Sequence, residues 1–463
     1  MAVPYRFDAT ILREYDVRGV VGKTLSADDA RNLGRAFGTV IRRAGGSSVA
    51  VGRDGRLSSL DMENALVEGL SSTGLTVKRV GEGATPMLYF ATFELKADAG
   101  VQVTGSHNPP DYNGFKMMLQ GGPVYGAAIQ ELGKIAAAGD YVEGQGKVED
   151  TPLFDRYVDR LLDGIKITKP LTVAWDAGNG VGGPVMAALA QRLPGKHILL
   201  NEKVDGTFPS HHPDPTVESN LVQLKAAVAQ NNADIGIAFD GDADRIGLID
   251  GRGRVLWGDQ LLALLARPVL EKQPGATIIA DVKASQVLFD EVARLGGKPL
   301  MWNTGHSLIK KKMKETNSPL AGEMSGHVFF ADRWYGVDDA LYAALRVLEL
   351  IEWAGKSLAE LRDELPTRIN TPEMRFTSSD TRKFAVVQEV KDRLAKSPDA
   401  KVDATDGVRV STADGWWLLR ASNTQDVLVG RCEAADAEGL KRLQGILEAQ
   451  LTASGVKLEL SGH

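Results

Sequence analysis

The sequence predicts an α/β chain: three similar mixed α/β domains, then a smaller C-terminal α+β domain, set around one central cleft. Three observations carry this expectation. Strand-like apolar runs alternate with helical patterns, the arrangement of α/β units with mainly parallel sheet. That run-and-helix theme occurs three times in the same form. Each unit then contains a second apolar run that ends in an unusual polar loop.

The first unit begins with Ser48-Val49-Ala50-Val51 running into Gly52-Arg53-Asp54, then a helix with Met62, Ala65, Leu66 and Leu70 on one face. Leu171-Thr172-Val173-Ala174-Trp175-Asp176 opens the second, followed by a Gly turn and an Ala-rich stretch to Leu193. Thr277-Ile278-Ile279-Ala280-Asp281 opens the third, with Val287, Leu288, Val292 and Leu295 marking its helix. The second runs enter Thr104-Gly105-Ser106-His107-Asn108, Asp240-Gly241-Asp242-Ala243-Asp244-Arg245 and Gly322-Glu323-Met324-Ser325-Gly326-His327. Ligands gather at strand ends in α/β sheets, so three odd loops at one repeated position predict a single shared site. Trp416-Trp417-Leu418-Leu419 and Val427-Leu428-Val429 read as a strand pair. A helix with Leu440, Leu443, Ile446, Leu447 and Leu451 on one face follows it. The expected boundaries are 1–151, 152–254, 255–367 and 368–463.

Totals restrict the function classes. The chain has 463 residues, a net charge of -6 and no basic block longer than Lys310-Lys311-Lys312, which disfavours nucleic acid as a partner. The lone cysteine, Cys432, excludes an intrachain disulfide and fits a reducing compartment. Met1-Ala2-Val3-Pro4-Tyr5-Arg6-Phe7-Asp8 has no apolar leader, and no segment is apolar for long enough to span a membrane. A cytoplasmic monomer is expected.

Ser106 ends an apolar run in a Gly/Asn/Pro turn, with His107 beside it and Lys116 ten residues on. That setting suits a serine that carries or attacks a highly charged group; a plain Asn/Pro turn with an exposed Ser is the competing reading. Asp240, Asp242 and Asp244 alternate, so an extended backbone would point all three carboxylates one way. Three hard oxygen donors without Cys or His suit Mg²⁺. An EF-hand is rejected because Arg245 stands at the sixth loop position and Gly251 at the twelfth. Arg420, Ser422, Asn423 and Thr424 put a guanidinium, two hydroxyls and an amide in one turn, a reasonable phosphate cradle. Glu323 and Ser325 suit sugar hydroxyls, and His327 suits an acid or base at neutral pH. Gly178-Asn179-Gly180-Val181-Gly182-Gly183 fits a dinucleotide fingerprint, with Glu202 and Asp205 downstream, but leaves the Asp triad without a purpose.

Together these loops resemble the α-D-phosphohexomutase superfamily, most closely its bacterial bifunctional phosphomannomutase/phosphoglucomutase branch. Tyr15-Asp16-Val17-Arg18-Gly19, Gly52-Arg53-Asp54-Gly55-Arg56 and Thr304-Gly305-His306-Ser307 extend the resemblance nearly end to end. It implies that Ser106 is held as phosphoserine, with Mg²⁺ on Asp240, Asp242, Asp244 and a phosphate oxygen on Ser106. A hexose 1,6-bisphosphate is the implied intermediate and activator. Glu323 and Ser325 are similar to the sugar readers, and Arg420, Ser422, Asn423 and Thr424 to the clamp for the non-reacting phosphate. Tyr15 lies in the first of those motifs; Arg18, Lys116, Arg245, Lys283 and His306 would supply charge or hydrogen bonds around the phosphates. His107 and His327 are the acid/base candidates. Two departures stand out: Ala243 where the family has a second Gly, and Gln425-Asp426 where it often has a small residue and Pro. A phosphatase on the same scaffold, a dinucleotide oxidoreductase and a silent binding protein are the alternatives.

Overall fold

The computed structural model describes residues 3–396, 401–423 and 425–458. Four sheets account for its strands. The first contains β1 (Val17–Val20), β2 (Ser48–Arg53), β3 (Thr76–Glu82), β4 (Ala99–Val103), β5 (Tyr112–Leu119), β6 (Gly122–Pro123) and β7 (Lys147–Asp150). β2 is parallel to both β3 and β4, and β4 turns back into antiparallel β5. The second holds β8 (Leu171–Asp176), β9 (Gly195–Leu200), β10 (Ile235–Phe239), β11 (Ile246–Asp250) and β12 (Val255–Leu256). Here β8 is parallel to β9 and β10, and β10 turns into antiparallel β11. In the third, β13 (Thr277–Asp281) is parallel to β14 (Lys298–Trp302) and β15 (Leu320–Gly322), and β15 turns into antiparallel β16 (Val328–Phe330), followed by β17 (Val337–Asp338).

The topology therefore repeats three times: a central strand, two parallel neighbours, and a hairpin out of the third strand. The three odd loops are those three hairpin turns. A Gly, Asn or Asp-rich turn belongs there because a reversal at the end of a buried strand needs positive φ or side-chain hydrogen bonding to its own backbone.

The fourth sheet is antiparallel: β18 (Ile369–Asn370), β19 (Met374–Thr377), β20 (Lys401–Asp403), β21 (Val408–Ser411), β22 (Gly415–Ala421) and β23 (Val427–Ala434). The helices Asp380–Leu394 and Ala437–Ala453 complete this unit. The last helix buries Leu443, Leu447 and Leu451, whereas Ile446 is 41% exposed, against the expected single face. The i, i+4, i+8 row meets the sheet, and Ile446 is turned to its flank.

One apolar cluster is continuous through the first three units, joining Met87, Phe90 and Tyr157 to Trp175, Phe239, Leu264 and Phe330. The fourth unit has its own core around Trp417, Leu428 and Leu447. Trp416 and Leu418 pack on Val282 of the third, and Arg409 lies 3.7 Å over the Trp416 ring. Among the described residues, no helix is long and apolar enough to cross a membrane.

Candidate active site

Ser106 sits at the end of β4 with φ +49, a left-handed conformation that costs a non-glycine residue free energy. Arg56 holds it there. This fully buried guanidinium donates to the Ser106 and Asn108 carbonyls at 2.7 Å, to Pro109 O at 2.5 Å and to Tyr112 O at 3.0 Å. Asp54 accepts from Thr104 Oγ1 at 2.8 Å and from the Gly105 amide at 3.1 Å. Position 105 must be glycine, since a Cβ would lie 2.3 Å from the Arg56 guanidinium carbon. The serine loop is a moulded part, not a loose turn.

The Asp loop abuts it. A Cβ on Gly241 would lie 2.4 Å from the Ser106 carbonyl oxygen. Ser106 Oγ donates to Asp240 Oδ2 at 2.9 Å, and the amides of Asp244 and Arg245 donate to Asp240 Oδ1 at 3.1 Å. Asp242 accepts from Thr85 Oγ1 at 2.5 Å, at the start of the helix Thr85–Glu94. Lys116, on β5, pairs with Asp242 at 2.7 Å and with Asp244. The expected extended run is instead a tight turn with Ala243 at φ +59. The carboxylates converge because the chain folds back, not because alternate residues share a face.

All three carboxylates are fully buried and their ligating atoms lie within 4.8 Å of one another. Burial, then the charges of Asp242 and Asp244, hold Asp240 well above the ordinary carboxylate range. Asp242 is displaced the other way: burial opposes its ionisation, but Lys116 overrides it. Burial likewise opposes the charge on Lys116, and Asp242, Asp244 and Asp240 raise it above its ordinary value. Asp242 Oδ1 and Asp244 Oδ1 are buried without a hydrogen-bond partner. Orphaned hard oxygens beside excess negative charge fit a divalent cation such as Mg²⁺.

The third loop is zipped to the second. Arg245 and His327 form an antiparallel bridge, and the Ile246 amide donates to Gly326 O at 3.0 Å. Glu323 Oε1 accepts from the Gly305 amide at 2.7 Å, and Ser325 lies half-buried in the turn. Arg245 Nε donates to His327 Nε2 at 3.0 Å. Opposite, Tyr15 Oη donates to Thr304 O at 2.8 Å and accepts from Asn423 Nδ2 at 2.7 Å. Arg420 Nε donates to Asp406 Oδ2 at 2.9 Å, and Arg18 Nη1 to Gly105 O at 2.6 Å. Tyr15 thus ties the C-terminal turn to the Thr304 loop of the third unit.

Four family models match the chain in order. They are phosphoglucomutase/phosphomannomutase α/β/α domain I over residues 9–143, domain II over 155–253, domain III over 257–369 and the C-terminal domain over 375–449. The chain belongs to the phosphoglucomutase/phosphomannomutase family. A phosphomannomutase/phosphoglucomutase of Pseudomonas aeruginosa is 45% identical over 96% of each chain. A phosphoglucomutase of Neisseria gonorrhoeae is 42% identical over 96% of this chain and 97% of its own. The crystal structure of a phosphoglucomutase/phosphomannomutase family protein from Burkholderia thailandensis superposes with a TM-score of 0.93 at 44% identity, covering 98% of this chain and 99% of that one.

Within this phosphohexomutase fold the residues singled out from sequence fall into two groups. Ser106, His107, Lys116, Asp240, Asp242, Asp244 and Arg245 meet at the first two hairpin turns. Tyr15, Asn423, Arg420 and His306 line the side formed by the third and fourth units. Lys283 Nζ pairs with Glu373 Oε2 at 3.1 Å near Asp281. Ser422 accepts from the Gln425 amide at 3.2 Å, and Thr424 lies outside the described residues. Burial first, then the charge of Arg245, keeps His107 well below the usual imidazole range, with Nδ1 3.2 Å from Ser106 Oγ. His306 is likewise driven well below it by burial and Lys310, so it offers a hydrogen bond where charge was also expected. The Gly-rich turn after β8 is filled by protein: a Cβ on Gly180 would meet Gly241 O at 2.6 Å, and one on Gly183 would meet Glu202 O at 2.0 Å. Gly180 lets the Asp loop pack down, and Gly183 makes room for the backbone at Glu202. Of the departures, Asp426 is exposed with Lys383 Nζ at 3.8 Å, and Gln425 Oε1 accepts from Arg375 at 3.1 Å, so cations offset the added acid.

Sequence reasoning passed over Asp54 and Arg56 as site-builders, read Lys310 only as part of a basic block, and passed over Thr85 and Asp338 entirely. The Asp54-Gly55-Arg56 motif was the available signal for the first pair. The lysines after Thr304-Gly305-His306-Ser307 were a signal for Lys310, whereas Asp338, on a separate element, had none.

Proposed function

We propose that the chain is a hexose-phosphate mutase that moves a phosphoryl group between the 1- and 6-positions of glucose and mannose phosphates through phosphorylated Ser106. The observation that supports this best is Ser106 Oγ at 2.9 Å from Asp240 Oδ2, where the serine and Asp loops press together beside Lys116. A nucleophile for acyl chemistry would instead want a base-and-oxyanion arrangement, whereas phosphoryl transfer wants charge neutralisation and alignment.

In this reading a sugar hydroxyl oxygen forms a bond to phosphorus as the P–Oγ bond of phosphoserine breaks, its electron pair returning to Oγ. The hydroxyl proton passes to a base, with His327 and His107 the candidates. The hexose 1,6-bisphosphate then reorients in the cleft and returns its other phosphoryl group to Ser106. Asp240, Asp242 and Asp244 would hold Mg²⁺, which supplies positive charge against the phosphate oxygens when bound. Arg18, Lys116 and Arg245 neutralise the moving group. Glu323 and Ser325 read sugar hydroxyls, Lys283 and His306 supply charge or hydrogen bonds around the phosphates, and Arg420, Ser422, Asn423 and Thr424 grip the phosphate that stays intact. Closing Asn423 against Tyr15 keeps water from the phosphoryl group and separates a mutase from a phosphatase. We assign the serine loop to residues 1–151, the metal loop to 152–254, the sugar loop to 255–367 and the clamp to 368–463, in a cytoplasmic monomer.

Phosphorus NMR tests the reading directly, with glucose 1-phosphate, Mg²⁺ and a trace of glucose 1,6-bisphosphate. Growth of the 6-phosphate signal at constant total ester is expected, and mannose 1-phosphate tests breadth. Inorganic phosphate in its place would make the protein a phosphatase, and an unchanged spectrum would defeat the assignment.

A further inference from the structure

A single carboxylate oxygen joins the third and fourth units beside Arg420. Asp406 Oδ2 accepts from Arg420 Nε at 2.9 Å and from the Thr304 amide at 3.0 Å. Both side chains are shielded, with 13% of Asp406 and 6% of Arg420 exposed. A guanidinium carries its donors in a rigid fork, so the nitrogen engaged decides which donors remain. Asp406 meets the fork at Nε. The opposite end, Nη1 and Nη2, is the pair that suits bidentate contact with a phosphate. Burial opposes the Arg420 charge, and Asp406 is the foremost group that sustains it. An acid next to a phosphate grip repels the phosphate, so attraction does not explain its place there. Orientation of the fork does.

The turn that carries Asp406 is built to lie there. It joins β20 to β21, and its Gly407 has φ +82. A Cβ at 407 would lie 2.3 Å from Leu419 O and 2.7 Å from Arg420 Cα. Only glycine lets the turn press onto the backbone of β22. Asp406 is therefore set beside Arg420 by main-chain packing as well as by the ion pair.

The second contact of Asp406 reaches the segment that holds Glu323. The Thr304 amide goes to Asp406, while the next peptide engages Tyr15 Oη through Thr304 O at 2.8 Å and Glu323 Oε1 through Gly305 N at 2.7 Å. Asn423 Nδ2 donates to the same Tyr15 Oη at 2.7 Å. Two adjoining peptides of the third unit are thus tied to the fourth unit by two routes, one through Asp406 and one through Tyr15. Displacing Asp406 loosens Arg420 and its register against Glu323 together.

We propose that Asp406 is a positioning residue of the phosphate clamp: it holds Arg420 by Nε so that Nη1 and Nη2 are presented to the phosphate, and it pins the clamp to the Thr304 amide. The proposal rests on the reading of Arg420 as the grip on the non-reacting phosphate of a mutase substrate. Asp406 itself touches no substrate and acts through Arg420.

Steady-state kinetics of the full-length enzyme with glucose 1-phosphate test this through a double-mutant cycle. Asp406→Ala should raise KM about tenfold and leave kcat within about threefold of wild type. Asp406→Asn, which keeps one acceptor oxygen, should recover part of that loss. In an Arg420→Ala background, Asp406→Ala should add less than about a twofold further loss, because the side chain it acts through is already gone. Additive losses would overturn the proposal. So would a wild-type KM in Asp406→Ala beside a raised KM in Arg420→Ala. An unchanged KM in Arg420→Ala itself would defeat the clamp reading, and the proposal with it. Where the Asp406 variants do not fold, arginine NMR of the wild type decides. The Arg420 Nε–H, assigned with Arg420→Lys, should exchange slowly with solvent, and exchange at the rate of exposed arginines would overturn the proposal.

Discussion

Ser106 and the three aspartates sit inside a wall of buried partners, while Asn423, in the turn between β22 and β23, reaches Tyr15 of the first unit through a single hydrogen bond. On the first side Arg56 bonds four carbonyls and Asp54 braces the turn. On the second, Asn423 and Tyr15 share one hydrogen bond between distant units, and Arg420 leans on Asp406. A transferring phosphoryl group demands fixed charges, because alignment errors of an ångström are expensive. In the proposed reaction, the group that grips the intact phosphate must instead let a substrate enter and turn around.

The comparison can be broken at each end. On the fixed side, Asp242→Asn removes a metal-facing carboxylate and one partner of Lys116. Turnover should fall on the order of 10³-fold, with Mg²⁺ affinity by calorimetry falling alongside it. Retained turnover would show that the triad does not hold the metal. On the C-terminal side, Arg420→Ala should lower kcat/KM about 10²-fold, mostly through KM, since the proposed charged contact to the non-reacting phosphate is lost. A loss confined to kcat would place Arg420 at the chemistry.

Between the two lies Glu373, drawn down to about 2 by Lys283 first and Arg375 next, against burial. Its folded pKa is below its unfolded one. The stability it contributes is therefore present above about pH 4.5 and is lost as pH falls toward about 2. The unfolding free energy of Glu373→Gln from urea titration should trail wild type by about 2 kcal/mol at neutral pH, the gap narrowing only in that acid window. A gap that ignores pH would mean shape, not charge.

The smallest expected effect concerns Ala243. Its left-handed φ costs about 1 kcal/mol, yet its buried methyl contributes about 0.8 kcal/mol in a core position. Ala243→Gly should leave stability within about 1 kcal/mol of wild type, and thermal melts would reveal a larger loss.

The parallel units and their three loops were legible because hydrophobic period and turn composition are local. Ser106, Lys116 and the Asp loop were legible for the same reason, each lying in a short segment with unusual chemistry. The carboxylate geometry was misread, since alternation suggests a strand and only the hairpin connection makes it a turn. His306 was read for its type, while its charge is decided by burial and by Lys310. Asp338 was invisible because its partner Lys310 and its neighbour His327 lie on other segments of the chain.

The central claim is that Ser106 carries the phosphoryl group. Intact-mass spectrometry of the protein after incubation with glucose 1,6-bisphosphate and Mg²⁺ tests it most directly. Wild type should gain a single phosphoryl mass that glucose 1-phosphate discharges, and Ser106→Ala should gain none. An Ala variant that still takes up the phosphoryl group, or a wild type that turns over substrate without ever carrying it, would contradict the account.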